Sequence, residues 1–204
     1  MLRIYGFAAS INVRKALWAA AEANIPFEHV DWGGKGRSTA DPAFVKLSAF
    51  GVVPVIDHDG LIVRESNTIV RYLAAVRGRT DLLPAGPRAR AAVETWMDWQ
   101  ASDLNASWKP AFHALVRGHR ASPEAIAASE AAWTRNIGLL DAHLATSRHV
   151  AGEAFTVADI CIGLSLHRWL GTPVAHPDFA NALRYYDLIR ARPAFVAHGE
   201  PGGP

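Results

Sequence analysis

The stretch Gly51-Val-Val-Pro-Val-Ile-Asp-His-Asp-Gly-Leu-Ile-Val-Arg-Glu-Ser66 contains the clearest structural signals in this chain. Two short runs of apolar, β-branched residues, 52–56 and 61–63, are separated by Asp59-Gly60. A glycine readily supplies the positive φ that a tight hairpin turn requires. The stretch therefore predicts a β-hairpin.

Both ends of this hairpin offer contacts to a ligand. Proline cannot donate to a β-ladder, so Pro54 predicts a strand start, an edge or a bulge at which the main chain of Val53 is left unpaired by the sheet. An extended ligand could pair with Val53 there. At the other end, Glu65-Ser66-Asn67 opens a segment with apolar residues at helical spacing, so a carboxylate and a hydroxyl lie where helix N–H groups point outward. This junction can bind a small anion.

The residues before the hairpin predict a βαβ unit. Strands at 2–5 and 27–31 flank a helix at 12–23, and we expect a right-handed crossover between parallel strands. A polar loop at 33–39 and a short helix follow, with Asp41 as N-cap and Pro42 in the first turn. The order β-α-β-α-β-β-α over the first 77 residues predicts a small sheet covered by helices.

The second half of the chain is predicted to be helical. A segment rich in Gly, Pro and charge, 78–87, predicts a link between two domains. The first helix after it, 88–116, is predicted to kink where Lys109 precedes Pro110. Phe155-Thr-Val-Ala-Asp159 is typical of a capping box and opens a nearly all-apolar helix that should form the buried centre of this half. Helices at 122–145 and 179–190 and a disordered tail at 199–204 complete the prediction.

Composition restricts the class of protein. Half of the 204 residues are hydrophobic and a fifth are charged, and the 21 basic and 19 acidic residues are spread along the chain. We therefore expect neither nucleic acid nor a membrane as a partner. No run approaches the roughly 18 apolar residues of a membrane span, and no signal-peptide pattern is present, so the expected location is cytoplasmic. A single cysteine, Cys161, excludes an internal disulfide, and no close pair of histidines predicts a metal site.

Taken together, these features resemble the cytosolic glutathione transferases, in particular bacterial serine-type enzymes of theta-, beta- or nu-like sequence. The resemblance rests on the order and spacing of Val53-Pro54, Glu65-Ser66 and 155–159, and it covers nearly the whole chain. It implies a thioredoxin-like N-terminal domain at 1–77 with a mixed four-stranded sheet, a linker at 78–87 and an all-helical C-terminal domain at 88–198. It also implies a homodimer that acts in detoxification.

The resemblance implies that glutathione is a co-substrate held by the first domain. The Val53–Pro54 bond is expected to be cis, with the Val53 main chain pairing with the cysteinyl part of glutathione, while Glu65 and Ser66 hold the γ-glutamyl group. Further candidates are a cation for the glycine carboxylate and an acidic residue for the γ-glutamyl ammonium of the neighbouring subunit: Lys35 or Arg37, and Asp103. From the residues alone, Glu65 and Ser66 could instead cap a helix.

The candidate catalytic residues lie in Ser10-Ile-Asn-Val-Arg-Lys15, which is similar to the serine-type pattern. The resemblance implies that Ser10 donates a hydrogen bond to the glutathione thiolate, with Asn12 as a helper. Lowering a thiol pKa by one unit requires about 1.4 kcal/mol, which a hydroxyl donor and the positive end of a helix can supply. Helix capping is the alternative role for both residues. Tyr5, within the first strand, is predicted to be a packed aromatic residue.

The implied function is conjugation of the thiolate to a small hydrophobic electrophile, and the candidates for the acceptor pocket are Trp108, Phe112 and Trp169. Two alternatives remain open. One is the glutathione-dependent reduction of disulfides or peroxides, favoured by the Ser-x-Asn spacing. The other is a non-catalytic ligand-binding or interaction module on the same fold. Asp159 is predicted to begin a buried helix, and Cys161 to be buried without a chemical role.

Overall fold

Four short strands form the sheet at the start of the chain, in a computed structural model that describes residues 1–201 and 203. They are β1 (Leu2–Tyr5), β2 (Phe27–Val30), β3 (Val55–His58) and β4 (Leu61–Arg64). The strand order is β2-β1-β3-β4, in which β1 is parallel to β2 and antiparallel to β3, and β3 is antiparallel to β4. The predicted mixed four-stranded sheet and its βαβ opening are confirmed.

The hairpin of β3 and β4 has the predicted turn. Asp59 and Gly60 both have positive φ, 52° and 90°, as a two-residue turn between right-twisted strands requires. The side chain of Asp57 accepts a hydrogen bond from the N–H of Gly60 at 2.8 Å. This turn aligns His58 with Leu61 and Val55 with Arg64, so β4 ends where the next helix begins.

Contacts within the chain divide it into two units, Met1–Ala85 with Arg192–Gly203, and Gly86–Ala191. The helices of the first unit are α1 (Ile11–Glu22), α2 (Pro42–Leu47), α3 (Ser66–Val76) and α9 (Pro193–His198). Those of the second unit are α4 (Pro87–Trp99), a π-helical turn (Gln100–Leu104), α5 (Asn105–Leu115), α6 (Pro123–Leu144), α7 (Val157–Leu170) and α8 (Ala180–Arg190). None of the helices described is both long and apolar enough to cross a membrane.

The C-terminal residues lie elsewhere than the sequence predicts. We expected residues up to 198 in the helical domain, but α9 packs on α1 of the first unit. Arg192 donates to both carboxylate oxygens of Glu22, at 2.7 and 2.6 Å, and the ring of Phe195 lies 5.1 Å from that of Trp18. Of the tail predicted to be disordered, Gly202 and Pro204 lie outside the described residues, whereas the carbonyls of Gly199 and Gly203 accept hydrogen bonds.

Helix α5 contains Pro110, at which the sequence predicts a kink, and the kink itself stays a prediction. The hydroxyl of Ser129, on α6, donates to the carbonyl of Ser107 at 2.6 Å and accepts from the N–H of Ala111 at 3.1 Å. In a regular helix the Ala111 N–H would donate directly to the Ser107 carbonyl, and Pro110 beside them disturbs that hydrogen bond. A further irregularity is the π-helical turn that precedes α5.

Helix α7 is the buried centre of the second unit, as predicted. Asp159 is fully buried near its start and accepts hydrogen bonds from the N–H groups of Val150 (3.1 Å) and Thr156 (2.7 Å) and from the hydroxyl of Tyr185 (3.0 Å). Burial raises the pKa of Asp159. The predicted structural role of Asp159 is confirmed, and Cys161, two residues on, is also buried.

Candidate functional site

A cavity of about 510 Å³ opens in the first unit. Three loops supply its walls: the turn before α1, the glycine-rich loop after β2 and the segment that leads into β3. The lining residues are Phe7, Ser10, Asn12, Gly33, Gly34, Gly36, Ser38, Thr39, Gly51, Val52 and Val53. The fold thus brings Val53 to the same cavity as Ser10 and Asn12, about 40 residues earlier in the sequence.

Ser10 is the N-cap of α1, but its hydroxyl does not cap the helix. Its carbonyl accepts the first helical hydrogen bond from the N–H of Arg14 at 3.0 Å, whereas its side chain makes no capping bond. Among the described residues, no hydrogen bond engages this hydroxyl. The capping alternative is therefore not the role of the Ser10 side chain, which remains available to a ligand in the cavity.

Asn12 and Ser66 are held together although 54 residues separate them in sequence. The hydroxyl of Ser66, the first residue of α3, donates to Oδ1 of Asn12 at 3.2 Å. Because Oδ1 is engaged in this way, the amide N–H groups of Asn12 are the ones left for another partner. The bond joins the beginnings of α1 and α3, the two helices that carry the predicted catalytic and γ-glutamyl-binding residues.

Val53 presents its main chain outside the sheet. The Val53–Pro54 peptide bond is cis, and the pairing of β3 with β4 begins only at Val55, opposite Arg64. In the described part of the chain, neither the N–H nor the carbonyl of Val53 has a main-chain partner. Pro54 therefore lies directly before the strand, as the sequence predicts, and Val53 can pair with an extended ligand.

Glu65 has a main-chain conformation that the sequence did not indicate. It is exposed and has a φ of 65° with a ψ of 116°, and its side chain makes no capping bond. Positive φ is uncommon for a non-glycine residue and costs on the order of 1–3 kcal/mol, and such residues cluster at functional sites. This strain, beside the buried Ser66, marks the junction before α3 as a candidate binding site.

The loop after β2 approaches the cavity through its glycines and not through its cations. Gly34 has a φ of 60°, and a Cβ there would come within 2.9 Å of the Phe7 ring, so any side chain would displace that wall. Lys35 and Arg37 are exposed and do not line the cavity, and the Arg37 guanidinium lies 3.5 Å from the centre of the Trp32 ring. Their role in holding a glycine carboxylate stays a prediction.

Arg14 has a structural role that sequence reasoning missed. Only 1% of it is exposed, and its Nε donates to the carbonyl of Ala8 at 2.9 Å, two residues before Ser10. Its Nη1 donates to the carbonyls of Gly199 (3.3 Å) and Gly203 (2.6 Å). Arg14 therefore supports the turn that carries Ser10 and ties the C-terminal segment to it. Nothing in the sequence around residue 200 predicts this contact.

None of the predicted residues of the second unit is among those that line the cavity described above. Asp103 is exposed in the π-helical turn, where it accepts from the Ser102 hydroxyl at 3.0 Å. Trp108, Phe112 and Trp169 are 5%, 2% and 1% exposed and pack on other aromatic rings of the same unit. Their burial is typical of core residues, so it gives no support to the prediction that they line an acceptor pocket.

Tyr5 is a core residue, as predicted. It packs with Trp32, Phe44 and Val55, and its ring meets that of Trp32 edge-on at 6.4 Å.

Within residues 1–201 and 203, no group of three or more His, Cys, Asp or Glu side chains is arranged to hold a metal ion. The groups gathered at the cavity are instead hydroxyl, amide and main-chain donors, which suit a polar or anionic organic ligand.

Comparisons with known proteins point to one family. Residues 4–80 match the model of the glutathione S-transferase N-terminal domain. Glutathione S-transferase GstB of Escherichia coli (strain K12) is 33% identical over 198 residues, which cover 95% of each chain. A theta-class glutathione S-transferase from Xanthomonas axonopodis pv. citri, solved with glutathione bound, is 33% identical, with a TM-score of 0.92 over 97% of this chain and 96% of that one. Elongation factor 1-gamma 2 of Oryza sativa subsp. japonica is 28% identical over 90% of this chain but only 45% of its own length. The chain belongs to the glutathione S-transferase family.

Proposed function

We propose that this protein is a glutathione transferase that binds glutathione in the cavity of the first unit, stabilises its thiolate and adds it to a small hydrophobic electrophile. The observation that carries the proposal is the uncommitted hydroxyl of Ser10, on the wall of that cavity and at the start of a helix. A neutral donor and a helix N-terminus both favour a negative charge placed beside them. In the reaction, the sulfur forms a bond to the electrophilic carbon, the leaving group departs with its electron pair and the thiol proton passes to solvent.

The remaining contacts follow the shape of a tripeptide. The main chain of Val53 pairs with the cysteinyl residue, as its position outside the sheet supports. Ser66 and Glu65 hold the γ-glutamyl group. The main-chain N–H of Ser66 binds its carboxylate, because the hydroxyl proton of Ser66 is donated to Asn12, and the acidic side chain of Glu65 binds its ammonium. Asn12, oriented by Ser66, acts as the second donor near the sulfur.

Three further contacts belong to the same proposal. Lys35 or Arg37 binds the glycine carboxylate, and Asp103 reaches the γ-glutamyl ammonium in the neighbouring subunit of a homodimer. Trp108, Phe112 and Trp169 are proposed to contribute to the acceptor pocket after rearrangement of their present packing. We also propose that the protein is located in the cytoplasm and acts in detoxification.

Light scattering coupled to size-exclusion chromatography tests the homodimer. A measured mass near that of one chain would exclude it.

The test is a pair of serine substitutions with opposite expected effects. Ser10→Ala should keep glutathione binding in titration calorimetry but lower kcat/KM for conjugation of an aryl halide about 10- to 100-fold, because one hydrogen bond to a charged group is lost. The matched control is Ser122→Ala. Ser122 is also an N-cap, but its hydroxyl accepts from the N–H of Ala125 at 3.2 Å, so its loss should lower stability and leave turnover unchanged.

Two outcomes would overturn the proposal in different ways. Equal turnover by Ser10→Ala and the unaltered protein would remove Ser10 from the mechanism, and Asn12→Ala would then show whether the amide is the main donor. No heat on titration of the unaltered protein with glutathione would remove the ligand itself.

A non-catalytic interaction module is the second candidate, because the likeness to elongation factor 1-gamma 2 extends over most of this chain. This candidate predicts retention on immobilised glutathione without turnover across a panel of aryl halides, epoxides and small disulfides. Turnover of a disulfide but of no aryl halide would instead indicate a glutathione-dependent reductase.

A further inference from the structure

A second hydrogen bond joins the beginnings of α1 and α3 within the first unit. Beside the bond from Ser66 to Asn12, the ammonium Nζ of Lys15 donates to Oδ1 of Asn67 at 3.0 Å. Lys15 follows Asn12 by three residues on α1, and residues at this spacing lie on the same side of a helix. Asn67 follows Ser66 in the first turn of α3. We call the hydrogen bond between Lys15 and Asn67 the helix clamp.

The lysine of the helix clamp is buried. Only 1% of Lys15 is exposed, although lysine is almost never fully buried unless its charge has polar partners. Burial of the ammonium costs free energy, and the hydrogen bond to Asn67 is one of the contacts that offset this cost. An apolar side chain of similar length would fill the same space without it. The position of Lys15 therefore indicates that the ammonium itself, and not only the side-chain stem, matters at the start of α3.

The helix clamp acts on the residue next to the proposed γ-glutamyl site. The N–H of Ser66 is proposed to bind the γ-glutamyl carboxylate, and in the described part of the chain no hydrogen bond engages it. The side chain of Ser66 is fixed by its bond to Asn12, and the following residue, Asn67, is fixed by Lys15. These two bonds together hold the Ser66 N–H in one direction relative to α1.

The junction needs such support because its main chain is strained. Glu65, directly before Ser66, has a φ of 65° and a ψ of 116°. A non-glycine residue persists in this region only where the surrounding structure holds it there. The side chain of Glu65 is exposed and makes no capping bond, so it does not itself anchor the start of α3. The bonds of Ser66 and Asn67 to α1 supply that anchor.

We infer that Lys15 is a positioning residue for the γ-glutamyl group. Through Asn67 it holds the start of α3 in the conformation that binds this group, so the affinity for glutathione depends on Lys15 whereas the reaction of the bound thiolate does not. The inference rests on the proposed function and deepens it by adding two residues that touch neither the sulfur nor the electrophile. A site that is already in its binding conformation loses less free energy when the ligand arrives, so the loss of this support weakens binding.

Replacement of Lys15 by methionine tests the inference, because methionine keeps most of the length of the side chain and removes the ammonium. In the conjugation of an aryl halide, Lys15→Met should raise KM for glutathione about tenfold and leave kcat at saturating glutathione within about twofold. Asn67→Ala removes the other partner and should have the same effect. Because both changes break the helix clamp, KM of the double variant should be no higher than that of the more affected single variant.

The matched control is Lys46→Met, which makes the same chemical change at an exposed side chain of α2 in the same unit. Both KM and kcat should stay within about twofold. A variant that is only less stable would lower kcat with the fraction of folded protein and leave KM unaltered, so the two constants separate positioning from stability. If Lys15→Met does not fold, Asn67→Ala, at a partly exposed residue, decides the question.

A pair of inhibitors locates the effect at the γ-glutamyl group. S-hexylglutathione and S-hexylcysteinylglycine share the cysteinyl and glycyl residues and the hexyl chain, whose apolar surface favours the binding of both. Only the first compound carries the γ-glutamyl group. Lys15→Met and Asn67→Ala should raise the inhibition constant of the first compound, in competition with glutathione, about tenfold and that of the second less than about twofold.

The outcomes are distinguishable. A KM that neither variant changes, or equal rises in the inhibition constants of the two compounds, would overturn the inference while the proposed function stands. Absence of conjugation by the unaltered protein would overturn the proposed function and, with it, the inference.

Discussion

Replacing Asp159 with alanine should destabilise the protein more than replacing a partly exposed carboxylate such as that of Asp41. The Asp159 side chain is fully buried and accepts from two main-chain N–H groups, those of Val150 and Thr156, and from the Tyr185 hydroxyl. The Thr156 hydroxyl also donates to this carboxylate, at 3.2 Å, so truncation leaves four buried donors without this acceptor, and a buried donor left unpaired costs about 1–3 kcal/mol. Release of the carboxylate from its own burial offsets part of that cost. We therefore expect a loss of about 3–5 kcal/mol in the free energy of unfolding.

The measurement is urea unfolding followed by tryptophan fluorescence and far-ultraviolet circular dichroism, with the midpoints compared at equal slope. The matched control is Asp41→Ala. Asp41 also lies at a helix start but makes a single exposed bond, to the N–H of Ala43 at 2.8 Å, so its loss should cost about 1 kcal/mol.

A second substitution keeps this prediction testable if Asp159→Ala does not fold. Tyr185→Phe removes one donor from the same network and should cost about 1–2 kcal/mol while preserving the fold. The reasoning would be refuted by an Asp159→Ala variant whose unfolding midpoint is shifted no further than that of Asp41→Ala, because the buried donors would then have found other partners at no cost.

Three further predictions concern the same scaffold. Burial raises the pKa of Asp159 in the folded state above its unfolded value, so the folded protein takes up the proton at a higher pH than the unfolded chain does. The stability of the unaltered protein relative to Asp159→Asn should therefore rise as the pH falls through the folded pKa toward about 4. Urea midpoints at successive pH values measure this difference in stability, and a difference that does not change with pH would contradict the prediction. Ser129→Ala should lower the free energy of unfolding by about 2–3 kcal/mol, because it leaves the Ser107 carbonyl and the Ala111 N–H unpaired. The loss should be smaller in a Pro110→Ala background, where these two groups can bond to each other. Additive losses in the double variant would refute the bridging role of Ser129. Arg192→Ala removes both hydrogen bonds to Glu22 and should accelerate amide hydrogen exchange in α9 but not in α8. Unaltered exchange at 193–198 would contradict this prediction.

The hairpin that organises the first unit could be predicted because its signals are local. Asp59-Gly60 favours the turn, the β-branched runs favour the strands, and Pro54 limits how far pairing can extend. Each of these effects acts within a few residues, and the observed strands and turn agree with them. The capping box before α7 was predictable for the same reason, since Thr156 and Asp159 are three residues apart.

The position of the C-terminal segment could not be predicted in this way. Arg192-Pro193 predicts the end of a helix, which is correct for α8, but the attachment of α9 depends on Glu22, 170 residues earlier. Likewise, the two main-chain groups beside Pro110 are paired by a hydroxyl of another helix, that of Ser129. A single sequence gives no information on which distant residue will lie beside a given donor. Rules that use only neighbouring residues therefore cannot predict a segment whose position depends on tertiary contacts.

Ser10 and Ser122 illustrate where sequence reasoning reaches its limit at the candidate site. Both precede a helix, both have an extended main chain, and the preference of serine for N-caps applies equally to the two. Only the structure separates them, because the hydroxyl of Ser122 accepts from the N–H of Ala125 whereas that of Ser10 makes no such bond and lies on a cavity wall. A capping serine that does not cap forgoes about 1 kcal/mol of helix stability, and such a loss at a cavity is consistent with a hydroxyl reserved for a ligand. Similar stability losses for Ser10→Ala and Ser122→Ala would contradict this reasoning, since they would mean that the Ser10 hydroxyl caps α1 in solution after all.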